Sequence, residues 1–415
     1  METSTKQNNL DHQLCLLEKL DLLKQKTLSL SERKSEHYQK KNQLSPLERL
    51  HALLDHPELF LPIGEFAGAH LDHPAKLGGG QWAGIGSVAG KWVMIQVYNS
   101  AIKGGMMTPI GVQRTLRLQA IALAQKLPMI MLVESAGADL TQQADLFIEA
   151  GKTFANQARL SAQGILSIAV VHGTATAGGA YVAGLADYTI MVKEHAHVFL
   201  AGPPLVKAAT GENASAEELG GTHMHSTISG LCDLTANSDQ EAISLAREVI
   251  HQAPIANTTL SQKPNPIDDH ILSLIPQDYR EPTNPTSLIE HLIDSTWLAF
   301  KPEFGPSTIT GFAHISGHPV GIISNQGPID SSGAEKASQF IQLCDQQNRT
   351  LIFLQNTTGF MVGKRQEQSG IVRYGSRLIK AVTNASVAKI TLHIGASFGA
   401  GNYAMCSRSL NPDFI

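Results

Sequence analysis

Two glycine clusters follow apolar runs in this sequence, and the first contains no Ser, Cys, Lys or carboxylate. They are TATAGGAY, residues 174–181, and ASFGAGNY, residues 396–403. Neither has the Gly-Lys-Ser/Thr of a P-loop, the GxGxxG of a dinucleotide loop or the GxSxG of a nucleophile elbow. What remains is chemistry by main-chain N–H groups at a helix N-terminus, which can stabilise negative charge developing on an oxygen, as in an enolate made from a thioester.

A structural interpretation of the same glycines stands beside the chemical one. Glycine also lets a helix pack closely against a strand, and this requires no ligand. A single loop does not distinguish between the two interpretations.

Short apolar runs alternate with stretches of helical length from about residue 80 to 200. The predicted strands are WVMIQVY, MIMLVES, ILSIAVVHG and YTIMV, and the predicted helices between them are GVQRTLRLQAIALAQKL, AGKTFANQARLSA and GGAYVAGLA. Strands separated by helices imply crossover connections and sheets covered by helices. The predicted fold class is therefore α/β.

The second half of the chain repeats the first at an offset of about 222 residues. The run IKGGMMTPI, a helix, MIMLVESAGADL and TATAGGAY correspond in order to NQGPID, a helix, LIFLQNTTGF and ASFGAGNY. Matched glycine loops at matched spacing are not expected of every α/β protein. The repeat predicts two related domains.

The segments outside the repeat complete the predicted domain organisation. Residues 1–44 are polar and lysine-rich and form a helical extension, and Ser45, Pro46 and Glu48 predict a capped helix that starts near Ser45. Residues 252–287 are rich in Pro, Asn, Asp and Ser and are predicted to be a linker. The expected domains are 45–265 and 266–415.

Composition excludes several classes of protein. A net charge of −4 with 16% charged residues gives no basic field for nucleic acid. The four cysteines lie far apart without a CxxC pair, so we expect no metal site and a reducing, cytoplasmic setting. The N-terminus lacks a secretory signal pattern, and no apolar run is long enough to cross a membrane.

Several longer motifs are specific enough to compare with known families: FLAGPPLVKAATGE, SAEELGG, TAGGAYV, FLQNTTGFMVG and FGAGNYAMCSR. They resemble the carboxyltransferase β subunits of biotin-dependent acyl-CoA carboxylases. The resemblance runs from Ser45 to Ile415 and is stronger to the methylcrotonyl-CoA and geranyl-CoA carboxylase branch than to the propionyl-CoA branch. It implies two tandem crotonase-like domains of ββα repeats and transfer of CO2 from carboxybiotin to the γ carbon of a 3-methyl-2-enoyl-CoA, 3-methylcrotonyl-CoA first and geranyl-CoA next.

The resemblance also implies partners. No Met-Lys-Met or similar biotinylation site is present, so biotin is expected on a separate α subunit that carries the biotin carboxylase and biotin carrier functions and uses ATP and bicarbonate. The β chains are expected to form a hexamer, a dimer of trimers. Acyl-CoA is expected on the N-domain of one subunit and biotin on the C-domain of another.

The resemblance assigns roles to the glycine loops. Amides near Ala138 and at Gly178 or Gly179 are expected to bind the thioester oxygen. Amides near Gly359 and Phe360, with those of Gly399 and Ala400, are expected to hold the ureido oxygen of biotin. The candidate cofactor-binding residues are Lys103, Gly104, Gly105, Lys207 and Gly401.

Several other polar residues are expected to have structural or surface roles. Lys103, Arg114, Arg117 and Lys207 could meet CoA phosphates, but each is expected instead to be a surface or helix-face charge. His172 beside the first loop is expected to hydrogen-bond to backbone. Ser215 and Glu218 are expected to form a capping box.

Two alternatives stay open at this stage. The first is a biotin-independent hydratase, isomerase or decarboxylase of the same fold. The second is a truncated, non-catalytic subunit that only binds its partner, because the sequence stops after NPDFI, where family members are expected to continue.

Overall fold

The computed structural model describes residues 2–32, 34–71, 77–253, 269–278, 281–294 and 297–415. Its strands are β1 Leu61–Pro62, β2 Gln81–Val88, β3 Lys91–Tyr98, β4 Met129–Ser135, β5 Ser167–Thr176, β6 Tyr188–Val192, β7 His197–Phe199, β8 Leu234–Ala236, β9 Leu298–Ala299, β10 Thr308–Ile315, β11 His318–Asn325, β12 Thr350–Thr357 and β13 Lys389–Ser397.

Helices separate most of these strands. The α-helices are α1 Glu2–Glu32, α2 Ser35–Lys40, α3 Pro46–Leu53, α4 Pro109–Gln125, α5 Gln143–Ala162, α6 Gly178–Gly184, α7 Pro203–Thr210, α8 Ala216–Gly220, α9 Thr222–Met224, α10 Asp239–Gln252, α11 His270–Ser273, α12 Pro285–Leu292, α13 Ser331–Gln346, α14 Lys364–Gln368, α15 Ile371–Asn384 and α16 Gly399–Ala404. A π-turn, His225–Ser229, follows α9.

The chain folds into two compact units. The N-terminal unit is Leu22–Thr259, and the C-terminal unit combines Met1–Asp21 with Leu260–Ile415. Within the described residues, no helix is both long enough and apolar enough to span a bilayer.

The N-terminal unit is built on an eight-stranded sheet. Its strand order is β1-β2-β3-β4-β5-β6-β8, and β7 pairs with β5. Strands β1 to β3 are antiparallel, whereas β3 to β6 and β8 run parallel, so helices must cross between them. The parallel strands β4 and β5 are buried, which explains why MIMLV and IAVV are continuous apolar runs.

The C-terminal unit has a five-stranded sheet of order β13-β12-β11-β10-β9. Strands β9 to β11 are antiparallel, and β11 to β13 are parallel. Its core includes the fully buried side chains of Phe340 on α13 and Phe353 on β12. Both units thus share one order of elements: an antiparallel hairpin, a helix, a parallel strand, a second helix, a second parallel strand and a short helix. These elements are β2, β3, α4, β4, α5, β5 and α6 in the N-terminal unit, and β10, β11, α13, β12, α15, β13 and α16 in the C-terminal unit.

This common order confirms the predicted α/β class and the internal repeat. The helix predicted near Ser45 is also present: the Ser45 hydroxyl accepts from the Glu48 N–H, and the Glu48 carboxylate accepts from the Ser45 N–H. Residues 254–268 and 279–280 of the predicted linker lie outside the described residues. The described part of the linker contains α11, and its last residues, 285–287, already belong to α12.

Candidate active site

The first glycine-rich turn of the N-terminal unit follows β4. Ser135 Oγ accepts from the Gly137 N–H at 3.2 Å, and Gly137 has φ +89°, which favours glycine. The Met107 N–H donates to Gly137 O at 2.8 Å, and the Asp139 N–H donates to Met107 O at 2.9 Å. These bonds flank Ala138, so its own N–H points away from Met107 and has no acceptor among the described residues.

The second turn follows β5. Ala177 has φ +52° and ψ −116°, a conformation that is costly for a residue with a side chain. Helix α6 begins at Gly178, so the N–H groups of its first turn have no carbonyl one turn earlier in the helix. A Cβ placed on Gly179 would lie 3.0 Å from Ser135 Cβ, which brings the start of α6 directly against the first turn.

The C-terminal unit repeats this geometry with every residue displaced by 222 positions. The Ile329 N–H donates to Gly359 O at 2.9 Å, the Met361 N–H donates to Ile329 O at 2.9 Å, and Thr357 Oγ1 accepts from the Gly359 N–H at 3.2 Å. Phe360 therefore takes the place of Ala138, with its N–H pointing away from the bridge.

The second turn of the C-terminal unit matches as well. Gly399, with φ +57°, takes the place of Ala177 and opens α16. A Cβ on Gly401 would lie 2.8 Å from Gly359 Cα, so α16 also starts directly against the preceding turn. The structure therefore places the predicted residues of each loop pair together, Ala138 with Gly178 and Gly179, and Gly359 and Phe360 with Gly399, Ala400 and Gly401.

The segment Lys103–Gly105 packs beside the first amide turn. The Ala136 N–H donates to Gly104 O at 2.9 Å, and a Cβ on Gly105 would lie 2.0 Å from Glu134 O. Lys103 Nζ lies 3.4 Å from Asp139 Oδ2. Lys103 is thus an exposed cation within the turn region, whereas Lys207 is exposed on α7 in a separate element.

Arg114 is not the surface or helix-face charge that the sequence predicts. Its side chain is buried and donates to four backbone carbonyls, those of Ile63, Gly78, Gln81 and Ala83. Burial lowers the pKa of the guanidinium to about 10. Because its donors are occupied by carbonyls, Arg114 holds the entry to β2 in place instead of meeting a phosphate.

His172 also differs from the prediction. Its ring does not bond to backbone: Nδ1 lies 2.8 Å from Asp239 Oδ1, and both side chains are fully buried. Burial, reinforced by the nearby charge of Arg49, lowers the pKa of His172, so the imidazole is neutral at pH 7. Nδ1–H must then be the donor, since Asp239 accepts.

The His172–Asp239 pair belongs to a buried ionic cluster. Arg49 on α3 donates from Nε to Asp239 Oδ2 at 2.9 Å and from Nη1 to Glu134 Oε2 at 2.7 Å. Burial raises the pKa of Asp239, but the bonds from His172 and Arg49 outweigh this and hold it below its usual range. Burial lowers the pKa of Arg49, but the two carboxylates outweigh this and raise it.

Sequence reasoning did not find Ser135, Thr357 or this cluster. A signal was present for the first two, because ESAG and NTTG occupy equivalent positions in the repeat. The cluster left no comparable signal, since its members come from four distant segments. The predicted Ser215–Glu218 capping box is confirmed.

Comparison with known proteins identifies the family. Residues 37–415 match the carboxyl transferase domain. The chain belongs to the carboxyl transferase family. Family membership confirms the resemblance inferred from the motifs and the crotonase-like fold that it implied.

Individual carboxyl transferases share much of this sequence. The chain is 42% identical over 382 residues to a probable biotin-dependent acyl-coenzyme A carboxylase β2 subunit of Mycobacterium tuberculosis, covering 90% of this chain and 71% of that protein. It is 42% identical over 390 residues to the methylcrotonoyl-CoA carboxylase β chain of Arabidopsis thaliana, covering 90% and 66%. The crystal structure of the geranyl-CoA carboxylase β subunit of P. aeruginosa matches with 44% identity and a TM-score of 0.91, covering 99% and 79%.

Proposed function

We propose that this chain is a carboxyltransferase subunit that carboxylates the γ carbon of a 3-methyl-2-enoyl-CoA, using carboxybiotin carried by a partner. The main support is the duplicated pair of amide turns. One turn pair suits an enolate oxygen and the other a ureido oxygen, and a transfer between two such substrates requires both. Family membership and the names of the similar proteins support the same reaction.

The N-terminal unit would act on the acyl-CoA. The N–H groups of Ala138 and of Gly178 or Gly179 would donate hydrogen bonds to the thioester oxygen as negative charge moves onto it. The γ proton would pass to the partner's biotin, which would serve as the base once it has released CO2. The charge reaches that oxygen through the double bond, and this makes the γ carbon acidic. Removing one such donor typically costs about 3 to 4 kcal/mol of barrier.

The C-terminal unit would bind carboxybiotin, which supplies the CO2. The main-chain groups of Gly359, Phe360, Gly399 and Ala400 would hold the ureido oxygen, and Gly401 would let α16 approach closely enough. A Cβ on Gly399 would meet nothing within 4 Å, so the backbone at the start of α16 borders open space in which a planar ureido group would have room.

The remaining predictions belong to this proposal. Residues 45–265 are the acyl-CoA side and 266–415 the biotin side, with residues 1–44 as an extension. Lys103, Gly104, Gly105 and Lys207 are proposed to contact CoA. The partner is a biotin carboxylase and biotin carrier α subunit that uses ATP and bicarbonate, and the β chains form a hexamer in the cytoplasm.

The test is reconstitution with a biotinylated α subunit from an acyl-CoA carboxylase. Incorporation of labelled bicarbonate is followed with 3-methylcrotonyl-CoA, geranyl-CoA and propionyl-CoA, with and without ATP. We expect ATP-dependent incorporation into one or both branched enoyl substrates and none into propionyl-CoA. Failure with all three, alongside proof that the α subunit carboxylates its own biotin, would support the non-catalytic alternative.

A further inference from the structure

Arg49 ties the end of β4 to two other elements of the N-terminal unit. Its guanidinium joins Glu134 of β4 to Asp239 of α10, and Asp239 in turn bonds to His172 of β5. Arg49 is 1% exposed, so these bonds lie in a medium where charge pairs are strong and unpaired charges costly. The two strands that carry the amide turns are therefore held by one buried ionic cluster.

Glu134 is fixed at more than one point. A Cβ on Gly173 of β5 would lie 2.8 Å from Glu134 Cδ, so this glycine makes room for the carboxylate. The carbonyl of Glu134 packs against Gly105 in the same way. Glu134 also lines a cavity of about 580 Å³ together with Gly104, Ala136 and Gly173.

The next residue carries this constraint to the amide turn. Ser135 Oγ accepts from the Gly137 N–H, and Ser135 Cβ supports the position of Gly179 at the start of α6. A shift of Glu134 would thus move both turns of the N-terminal unit. Ala138 follows Glu134 by only four residues, so the ion pair and the Ala138 N–H are joined by a short stretch of backbone.

In the C-terminal unit, an uncharged side chain occupies the position before the equivalent turn. Asn356 replaces Glu134 at the equivalent position, donates to Thr283 O at 2.8 Å and accepts from the Ala396 N–H at 3.2 Å. Asn356 is thus held by backbone groups of residues 283 and 396, whereas Glu134 is held by the side chain of Arg49. The carboxylate of Glu134 is matched to Arg49 and is specific to the unit assigned to acyl-CoA.

We propose that Glu134, held by Arg49, is a positioning residue that sets the Ala138 N–H for the thioester oxygen. This inference rests on the proposed carboxyltransferase function. An oxyanion donor acts on charge that develops only in the transition state, so displacing it lowers kcat and leaves the KM for acyl-CoA nearly unchanged. A displacement of this kind typically lowers kcat roughly 10- to 100-fold.

The decisive variant is Glu134→Gln, which keeps the shape of the side chain and leaves Arg49 paired with Asp239. The matched control is Asp55→Asn. Asp55 forms an equally short ion pair, 2.7 Å from Arg247 of α10, in the same unit but without contact to β4. Both variants weaken a partly buried ion pair, and only the first one touches the path to the amide turn.

Two measurements are made on each variant, one of which needs no activity. Hydrogen exchange of residues 135–142 reports the bonds of the Gly137 and Asp139 N–H groups, and steady-state carboxylation in the reconstituted enzyme gives kcat and KM. We expect Glu134→Gln to speed exchange in this segment about tenfold and to lower kcat at constant KM, and Asp55→Asn to do neither.

Unchanged exchange in Glu134→Gln, or a loss of kcat equal to that of Asp55→Asn, would overturn the positioning role. A raised KM at constant kcat would do the same, because it would make Glu134 a binding group. If the wild-type enzyme carboxylates no acyl-CoA, the proposed function fails, while the exchange comparison still decides whether Glu134 positions the turn.

Discussion

A Cβ atom on Gly179 would lie 3.0 Å from the Cβ of Ser135, so the first turn of α6 rests on the end of β4 with little space for a side chain. Such a contact is tighter than side chains normally tolerate. The close approach places two sets of unpaired N–H groups side by side. It also shows that the two interpretations of the glycines are compatible, because close packing is what brings the amides together.

The contact predicts that Gly179→Val abolishes carboxylation. The added methyl groups overlap Ser135 and push the start of α6 away, so the donors of Gly178 and Gly179 leave the site. We expect a loss of at least about 100-fold in kcat, as for removal of an oxyanion donor. The measurement is incorporation of labelled bicarbonate into the branched enoyl-CoA by the reconstituted enzyme.

The matched control is Gly151→Val on α5, because a Cβ there meets nothing within 4 Å. This variant should retain activity, because valine is a better helix former than glycine. Full activity in Gly179→Val would show that α6 does not supply the donors.

Gly401→Val should disable the other half of the reaction. A Cβ at Gly401 would lie 2.8 Å from Gly359 Cα, so the substitution separates α16 from the turn after β12. If the C-terminal unit is the biotin side, overall carboxylation falls while binding of the acyl-CoA, measured by titration calorimetry, keeps its wild-type Kd. Loss of acyl-CoA binding in this variant would reverse the assignment of the two units.

Much of this architecture could be predicted from the sequence because it is local. Apolar runs such as MIMLV predict strands, and the Ser45 and Ser215 caps predict where helices start. The repeat predicts which elements of the two units correspond. The glycine turns could be located because glycine clusters stand out in the sequence, and the structure shows that a Cβ at Gly179 or Gly401 would crowd its neighbour.

The roles of Arg114 and His172 could not be predicted, because they depend on long-range contacts. The partners of Arg114 are carbonyls of residues 63 to 83, and Asp239 lies 67 positions from His172. Nothing in the local sequence separates an arginine that binds carbonyls from one on a helix surface. Only the fold brings these groups together.

Arg114→Met should destabilise the N-terminal unit severely without acting on CoA. It removes hydrogen bonds to four backbone carbonyls, of which Ala83 O keeps the Ile63 N–H as a donor, and we expect a loss of about 3 to 5 kcal/mol in the free energy of unfolding. Urea unfolding followed by circular dichroism measures the change.

Lys207→Ala is the control for Arg114, because this exposed lysine lies on α7. Its free energy of unfolding should stay within about 0.5 kcal/mol of wild type. A well-folded Arg114→Met variant with weakened CoA affinity would restore the phosphate-binding interpretation of Arg114.

The buried His172 predicts a loss of stability in acid. Its folded pKa lies below the ordinary value of 6.5, so the unfolded chain takes up a proton below about pH 6.5 that the folded chain excludes. The contribution of His172 to the free energy of unfolding is therefore constant above this pH and falls below it, by at most about 1.4 kcal/mol per pH unit. Asp239, whose folded pKa is also lowered, adds a further loss below its ordinary pKa.

The measurement compares urea unfolding of wild type and His172→Gln between pH 8 and pH 5. The variant is less stable at pH 8, but the difference between the two proteins should shrink as the pH falls, since glutamine takes up no proton. A difference that stays constant or grows over this range would mean that folding does not lower the pKa of His172.

Ala177 and Gly399 offer a direct test of backbone strain, because the repeat places an alanine and a glycine at the same position. Ala177 has φ +52° and Gly399 has φ +57°, so only the glycine is free of the penalty for a side chain. Ala177→Gly should raise the free energy of unfolding by about 1 kcal/mol, the strain relieved less the added freedom of the unfolded chain. Gly399→Ala should lower it by about 1 to 2 kcal/mol, although its new methyl group meets nothing within 4 Å. Urea unfolding of both variants measures the two changes in the free energy of unfolding. Changes of opposite sign identify backbone conformation as the cause. A loss of stability in both variants would mean that the Ala177 methyl group contributes packing that outweighs its strain.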